Sequence, residues 1–218
     1  MPTKSKRSYE QFCGLARALD VVGERWTLLI IRELLLGTRR YSELLTALPG
    51  ITTNLLADRL KELTHLGLIT EGYMLTEAGA ALEPAIMELA RWGGRFMDSP
   101  KKHDTVDPGW MLLSLKRRYV GGLACTIGVC VEKTWFTLTF EPQWLRVTKQ
   151  RPERSAASLH LSRGEFIDVF VTGHDPRSDC VDGDARVIKN VTRALLPRRF
   201  ASELPPSKVK TRFTIPLR

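Results

Sequence analysis

RRYSELLTALPGITTNLLADRLKELTHLGLITEGYML, residues 39–75, decides how the rest of the chain reads. Leu44, Leu45 and Leu48 share one side of a short helix that Ser42 can cap. Pro49-Gly50 forces a turn. Thr52 or Thr53 then caps a longer helix, whose apolar stripe is Leu55, Leu56, Leu60, Leu63 and Leu66. Asn54, Asp58, Arg59, Lys61 and Glu62 are left largely on its other side. Gly67 ends it, and Leu68-Ile69-Thr70 can pair with Tyr73-Met74-Leu75 across Glu71-Gly72 as a very small hairpin. Helix, turn, helix and hairpin is the layout of a winged helix-turn-helix, which lays its second helix in the DNA major groove.

The flanks fit that layout. Phe12, Leu15, Ala16, Leu19 and Val22 recur at helical spacing and predict a helix over residues 9–22, closed by Gly23. WTLLIIRELLL is apolar on nearly every side, which predicts a buried central helix over residues 24–36. A last helix is expected from Thr76-Glu77 to residue 97. Leu82, Ile86, Leu89, Trp92, Gly93 and Phe96 form its stripe, and Pro84 bends it. SPKKHDTVDPG then reads as a linker, so the expected domains are 1–98 and 107–218.

Past the linker the period changes. Residues 110–119 read as a helix. Alternation then predicts strands at residues 123–131, 135–140, 144–148 and 159–161. Residues 165–172 read as helical, a further helix starts near Asp184, and an edge strand is expected over residues 209–215. The expected class is α+β: a mostly helical first domain and an α/β second one.

Composition bounds the possibilities. A 218-residue chain with 43% apolar residues can build real cores. It has no run of the roughly 18 apolar residues a membrane span needs. Residues 1–12 have no apolar segment of signal-peptide type, and four dispersed cysteines make no disulfide framework. A cytoplasmic protein with reduced thiols and no membrane partner is expected. The net charge of +9 fits a polyanionic partner. Residues 1–98, however, hold 12 Lys/Arg and 12 Asp/Glu, so the surplus belongs to residues 99–218.

If the second helix enters a groove, Thr52, Thr53, Asn54 and Ala57 stand at its leading end. Asn can pair with adenine N6 and N7, and Thr can meet phosphate or a thymine methyl. Arg59 and Lys61 lie further along, where phosphates are expected, and Arg39 and Arg40 precede the first helix of the pair, placed for the backbone. The competing reading is an ordinary helical domain with a solvated polar face.

Residues 13–97 resemble the HxlR family of winged-helix transcriptional regulators. The matching features are Cys13 followed by ALDVVGERWTLLIIREL, then GTRRYSEL, LPGITTNLLADRLKEL, LTEAG and LARWG, in order. The resemblance implies a homodimer built from the first and last helices, reading a pseudo-palindromic site on double-stranded DNA. Two recognition helices would then lie about 34 Å apart. The wing departs from the family: its tip, Glu71-Gly72, is short and acidic, which shifts the expected contacts to the recognition helix and the Arg39-Arg40 pair. Cys13 occupies the position of a cysteine that some family members use as a redox sensor. Arg17, one turn on, would lower its pKa; the alternative is a small residue packed in the dimer helix.

The second half resembles sterol-carrier-protein-like domains, mainly through ASLHLSRGEFIDVFVTG and VDGDARVIKNVTRAL. That implies a five-stranded sheet with helices around an apolar pocket for a small apolar or anionic, lipid-like ligand. Trp110, Trp135, Phe140, Phe166 and Phe170 are the candidate lining, with plain core packing as the alternative. No catalytic constellation, cofactor loop or metal-ligand spacing emerges: His65, His103, His160 and His174 are scattered, and Cys125 and Cys130 fall on opposite strand faces. The expectation is a ligand-modulated DNA-binding regulator rather than an enzyme. The rival readings are a lipid carrier whose helical half only dimerises, and a thiol sensor acting through Cys13.

Overall fold

A computed structural model describes residues 8–96 and 104–195. The expected edge strand at 209–215 and linker residues 99–103 lie outside the described residues. The order of elements is helical first and mixed afterwards, so the α+β class holds.

The helical half runs α1 (Gly14–Val22), α2 (Thr27–Leu34), α3 (Tyr41–Ala47), α4 (Thr53–His65), α5 (Glu77–Ala80) and α6 (Glu83–Gly93). Helix α2 is the central one: Ile30 and Ile31 are wholly buried, with Leu34 and Leu36 beside them. Three expectations need correction. Helix α1 starts at Gly14 rather than residue 9, because Ser8 and the Tyr9 amide turn back to hydrogen-bond the Asp20 carboxylate and hold the preceding backbone out of the helix. Of its expected stripe only Ala16 and Val22 are buried; Phe12, Leu15 and Leu19 face outward. The last helix is two helices, since Pro84 sits in the first turn of α6, where its missing N–H costs nothing, instead of bending a longer rod. Its outer stripe, Leu89 and Trp92, is exposed as well, as is Phe96 in the 3-10 turn at Gly94–Phe96 that follows.

Helix α7 (Pro108–Leu115) leads into a five-stranded sheet of order β3-β2-β1-β4-β5. The strands are β1 (Cys125–Val131), β2 (Thr134–Phe140), β3 (Leu145–Thr148), β4 (Ala157–Leu161) and β5 (Val181–Gly183). Strand β1 pairs antiparallel with β2 and parallel with β4; the other pairings are antiparallel. Ile127, Val129 and Val131 of β1 lie in register with Leu138, Phe136 and Thr134 of β2 and with Ala157, Leu159 and Leu161 of β4. One sheet face is therefore apolar, and Ile127, Val129, Phe136, Leu138 and Leu159 are wholly buried. Helices α8 (Arg163–Ile167) and α9 (Ala185–Leu195) add Phe166, Ile188 and Val191 to this core. A π-helix at Asp168–Thr172 continues α8 without a break, so residues 165–172 are helical as expected.

The buried apolar residues of both halves form one contiguous cluster. Glu33 of α2, 1% exposed, accepts hydrogen bonds from Arg32 Nη2 at 2.8 Å and from Trp110 Nε1 of α7 at 2.6 Å. The Arg32 guanidinium also stacks 3.8 Å from the centroid of Trp110. The Lys149 amide donates to the Leu36 carbonyl at 2.7 Å, and Lys116 pairs with Glu83. Gly109 is a glycine for space: a Cβ there would lie 2.7 Å from Leu36 Cδ1 and 3.0 Å from Phe136 Cε1. Among the described residues no helix is long and apolar enough to cross a membrane.

Candidate nucleic-acid interface

The α3–α4 pair is set by local chemistry. Glu43 accepts the Arg40 amide at 2.6 Å, so it, rather than Ser42, closes the start of α3; Ser42 lies inside the helix. Leu44 and Leu48 anchor α3 in the core. Gly50 takes φ +93° in the turn, over the edge of the Trp26 ring. Thr52 Oγ1 accepts the Leu55 amide and caps α4. Tyr41 Oη then donates to the Thr53 carbonyl at 2.7 Å, tying the start of α3 to the start of α4. This strap was missed in the sequence, where Tyr41 carried no signal beyond its helical position.

Leu56, Leu60 and Leu63 turn α4 onto the core. Thr52, Thr53, Asn54, Ala57, Asp58 and Lys61 are exposed. Asn54, Ala57, Asp58 and Lys61 are spaced i, i+3, i+4 and i+7, so they share one outward stripe. The arrangement can offer amide and hydroxyl groups at its leading end and an ammonium two turns behind. Partial positive charge on the free amides at the N-terminus of α4 favours phosphate there.

Of the seven residues expected on DNA, the structure brings Arg40, Thr52, Thr53, Asn54 and Lys61 to the surface. Arg39 is instead 7% exposed, and its Nη2 is buried without a hydrogen-bond partner. Arg59 is engaged internally: Nη2 meets Glu24 at 2.9 Å and Nη1 meets Glu62 at 2.7 Å. The described residues hold 22 Lys/Arg and 22 Asp/Glu, so the whole surplus of +9 lies in residues 1–7, 97–103 and 196–218. Any attraction this face exerts on a polyanion is therefore local.

The wing is minimal. Its only ladder pairing among the described residues is Ile69 with Leu75, closed by a bond from the Thr70 amide to the Met74 carbonyl at 2.8 Å. Gly79 of α5 backs onto it; a Cβ at that position would sit 2.0 Å from the Leu68 carbonyl oxygen.

Cys13 is exposed and occupies the N-cap position of α1. Backbone amides of Ala16 and then Leu15 hold its thiol below the ordinary value. The cause is the helix start and not Arg17, whose guanidinium faces Asp20 at 3.6 Å. Burial pushes the thiols of Cys125, Cys130 and Cys180 up.

In the second half the expected pocket aromatics disperse. Phe140, Phe166 and Phe170 are core, and Phe166 packs against Phe170 at 5.1 Å. Trp110 belongs to the contact with α2. Trp135 lies on the other sheet face, between His160 at 5.2 Å and the Arg151 guanidinium at 5.0 Å.

A helix pair with a buried second-helix stripe, an exposed polar face and a small hairpin defines the first half as a helix-turn-helix module. Residues 21–101 match the model of the HxlR-like helix-turn-helix family. The HTH-type transcriptional regulator YvaP of Bacillus subtilis is 35% identical over 92 residues, 38% of this chain and 85% of YvaP. The chain belongs to this family. An HTH-type transcriptional regulator of Mycobacterium tuberculosis is 42% identical over 98 residues, 40% of this chain and 61% of that protein. The chain thus spans about three fifths of the mycobacterial relatives it matches. The quinone-bound structure of YodB from B. subtilis is 35% identical, with 38% of this chain and 97% of that one covered and a TM-score of 0.36.

Proposed function

We propose that this protein is a cytoplasmic, sequence-specific transcriptional regulator that binds double-stranded DNA as a homodimer, with α4 in the major groove. The observation that carries this reading is the exposed stripe of Asn54, Ala57, Asp58 and Lys61, led by exposed Thr52 and Thr53, on a helix whose other side is locked by Leu56, Leu60 and Leu63. Family membership of the helical half supports it. Asn54 is assigned to a base, and Thr52, Thr53, Lys61 and Arg40 to phosphates or base edges within reach. Arg39 and Arg59 serve the fold of the module rather than first contact with DNA. Dimerisation is assigned to α1 and α6, whose Leu15, Leu19, Leu89 and Trp92 are exposed, with exposed Phe12 just before α1 and Phe96 just after α6. The sheet half, read as sterol-carrier-like, is assigned to ligand sensing.

Footprinting on the protein's own promoter across a salt series tests the reading. A protected pseudo-palindrome, with affinity falling as salt rises, is expected. Equal affinity for that promoter and random DNA at every salt concentration would sink it. A second reading, thiol sensing through Cys13, is favoured by that thiol's exposure and lowered pKa. Cys13→Ser should then abolish release of DNA by oxidant, and an unchanged response would remove it.

A further inference from the structure

A cleft of about 810 Å³ opens between the two halves. Leu34, Pro84 and Met87 on the helical side and Leu145 and Val147 of β3 give it an apolar floor. Five charged residues line it, and they do not cancel. Glu83 is paired with Lys116, and Glu88 with Arg91 outside the lining. Arg117 and Arg146 are left: both are exposed, and neither makes an ion pair among the described residues. Arg117 spends only Nε, in a 3.4 Å bond to the Ser114 carbonyl. Arg146 stands 5.1 Å over the Trp144 indole, itself 45% exposed.

Two uncompensated guanidiniums, an accessible indole and an apolar floor are complementary to one chemistry. We propose that this cleft binds a small aromatic carboxylate. Its ring system would lie on the apolar floor against Trp144, and its carboxylate would meet Arg117 and Arg146. Arginine suits that task because its planar fork matches a carboxylate and stacks on aromatic rings. The volume is that of a small-molecule site. The ligand's place is then between the halves, not among the aromatic residues inside the sheet half. Because the walls include Pro84 and Met87 of α6 and Leu75 of the wing, an occupant touches both a proposed dimer helix and the DNA-facing module. This deepens the ligand-sensing part of the proposed function, but its test needs no DNA.

Titration calorimetry of the full chain with naphthoate, and with the neutral naphthylmethanol as control, tests it. One naphthoate per chain should bind, and the alcohol should bind about tenfold more weakly or worse, as expected for losing a charge-assisted pair. Arg117→Gln and Arg146→Gln should each weaken naphthoate about tenfold. Ala80→Trp fills the cleft from an exposed position and should abolish binding without altering the circular dichroism spectrum. No binding at about 1 mM naphthoate, equal binding of the alcohol, or binding that survives Ala80→Trp would overturn the proposal. Asn54→Ala should leave naphthoate affinity unchanged. Charge-dependent naphthoate binding by a chain without DNA preference would sink the regulator reading and leave the cleft site standing; sequence-specific DNA binding without naphthoate binding does the reverse.

Discussion

At the scale of single residues, position in an element outweighs residue type. The four cysteines are chemically alike, but only Cys13 sits where free helix amides stabilise a thiolate, and burial opposes ionisation at the other three. With a depressed pKa, the thiolate fraction of Cys13 rises at lower pH than for an ordinary thiol. At neutral pH, brief iodoacetamide treatment should therefore label one site per chain, and peptide mass mapping should place it at Cys13. The midpoint of the rate against pH should fall below that of the same thiol in the urea-unfolded chain; labelling spread over all four thiols would contradict the assignment. Gly79 shows the same logic for the backbone. With a Cβ that would meet the Leu68 carbonyl at 2.0 Å, Gly79→Ala must push α5 off the wing. The expected cost is about 1–3 kcal/mol by urea denaturation, with DNA affinity falling alongside it. In the sequence this glycine is only one letter of LTEAG; the carbonyl it meets comes from 11 residues away.

At the scale of elements, what was legible follows the reach of the signal. The inward stripe of α4 and the alternation of β1 and β2 are periodic over many residues, and both were read correctly. Strand β5 is three residues long, too short to display a period, and alternation predicts no strand there. The start of α1 was misplaced because Phe12 continues the helical spacing, while the Asp20 carboxylate that holds Ser8 and Tyr9 out of the helix is 11 residues from Tyr9. Arg59 looked available for phosphate because one of its two partners, Glu24, is 35 residues away and invisible to spacing; the other, Glu62, stands at i+3. The Tyr41 strap gives this scale its test. Tyr41→Phe removes a bond to the Thr53 carbonyl at the leading end of the proposed reading helix. It should cost about 1 kcal/mol of stability and lower affinity for cognate DNA. Asn54→Ala should instead leave stability unchanged and erase about 1–3 kcal/mol of preference for the cognate half-site over random DNA. Equal losses on both DNAs for Asn54→Ala would take that residue out of base reading. Denaturation and gel-shift titrations run in parallel separate the two effects.

At the scale of the molecule, the decisive feature is how the halves meet. A flexible tether would let the sheet half sense a ligand without informing the DNA-binding half. Here a buried carboxylate, Glu33, draws its hydrogen bonds from both sides of the boundary, and one contiguous apolar cluster crosses it. Such a junction transmits displacement, because a packed interface shifts between discrete arrangements rather than deforming smoothly. It also couples the stabilities of the halves. Calorimetric unfolding of the full chain should therefore give one cooperative transition rather than two. Trp110→Phe keeps the ring under the Arg32 guanidinium but removes the indole N–H from a carboxylate that is 1% exposed. Leaving that buried acceptor one donor short should cost about 1–3 kcal/mol, lowering the single transition without splitting it. Glu33→Gln, which retains the shape and alters the pairing with Arg32, should fall in the same range. Two separable transitions in the unaltered protein, with the Trp110→Phe loss confined to one of them, would mean that the halves fold independently and that no signal can pass through this contact.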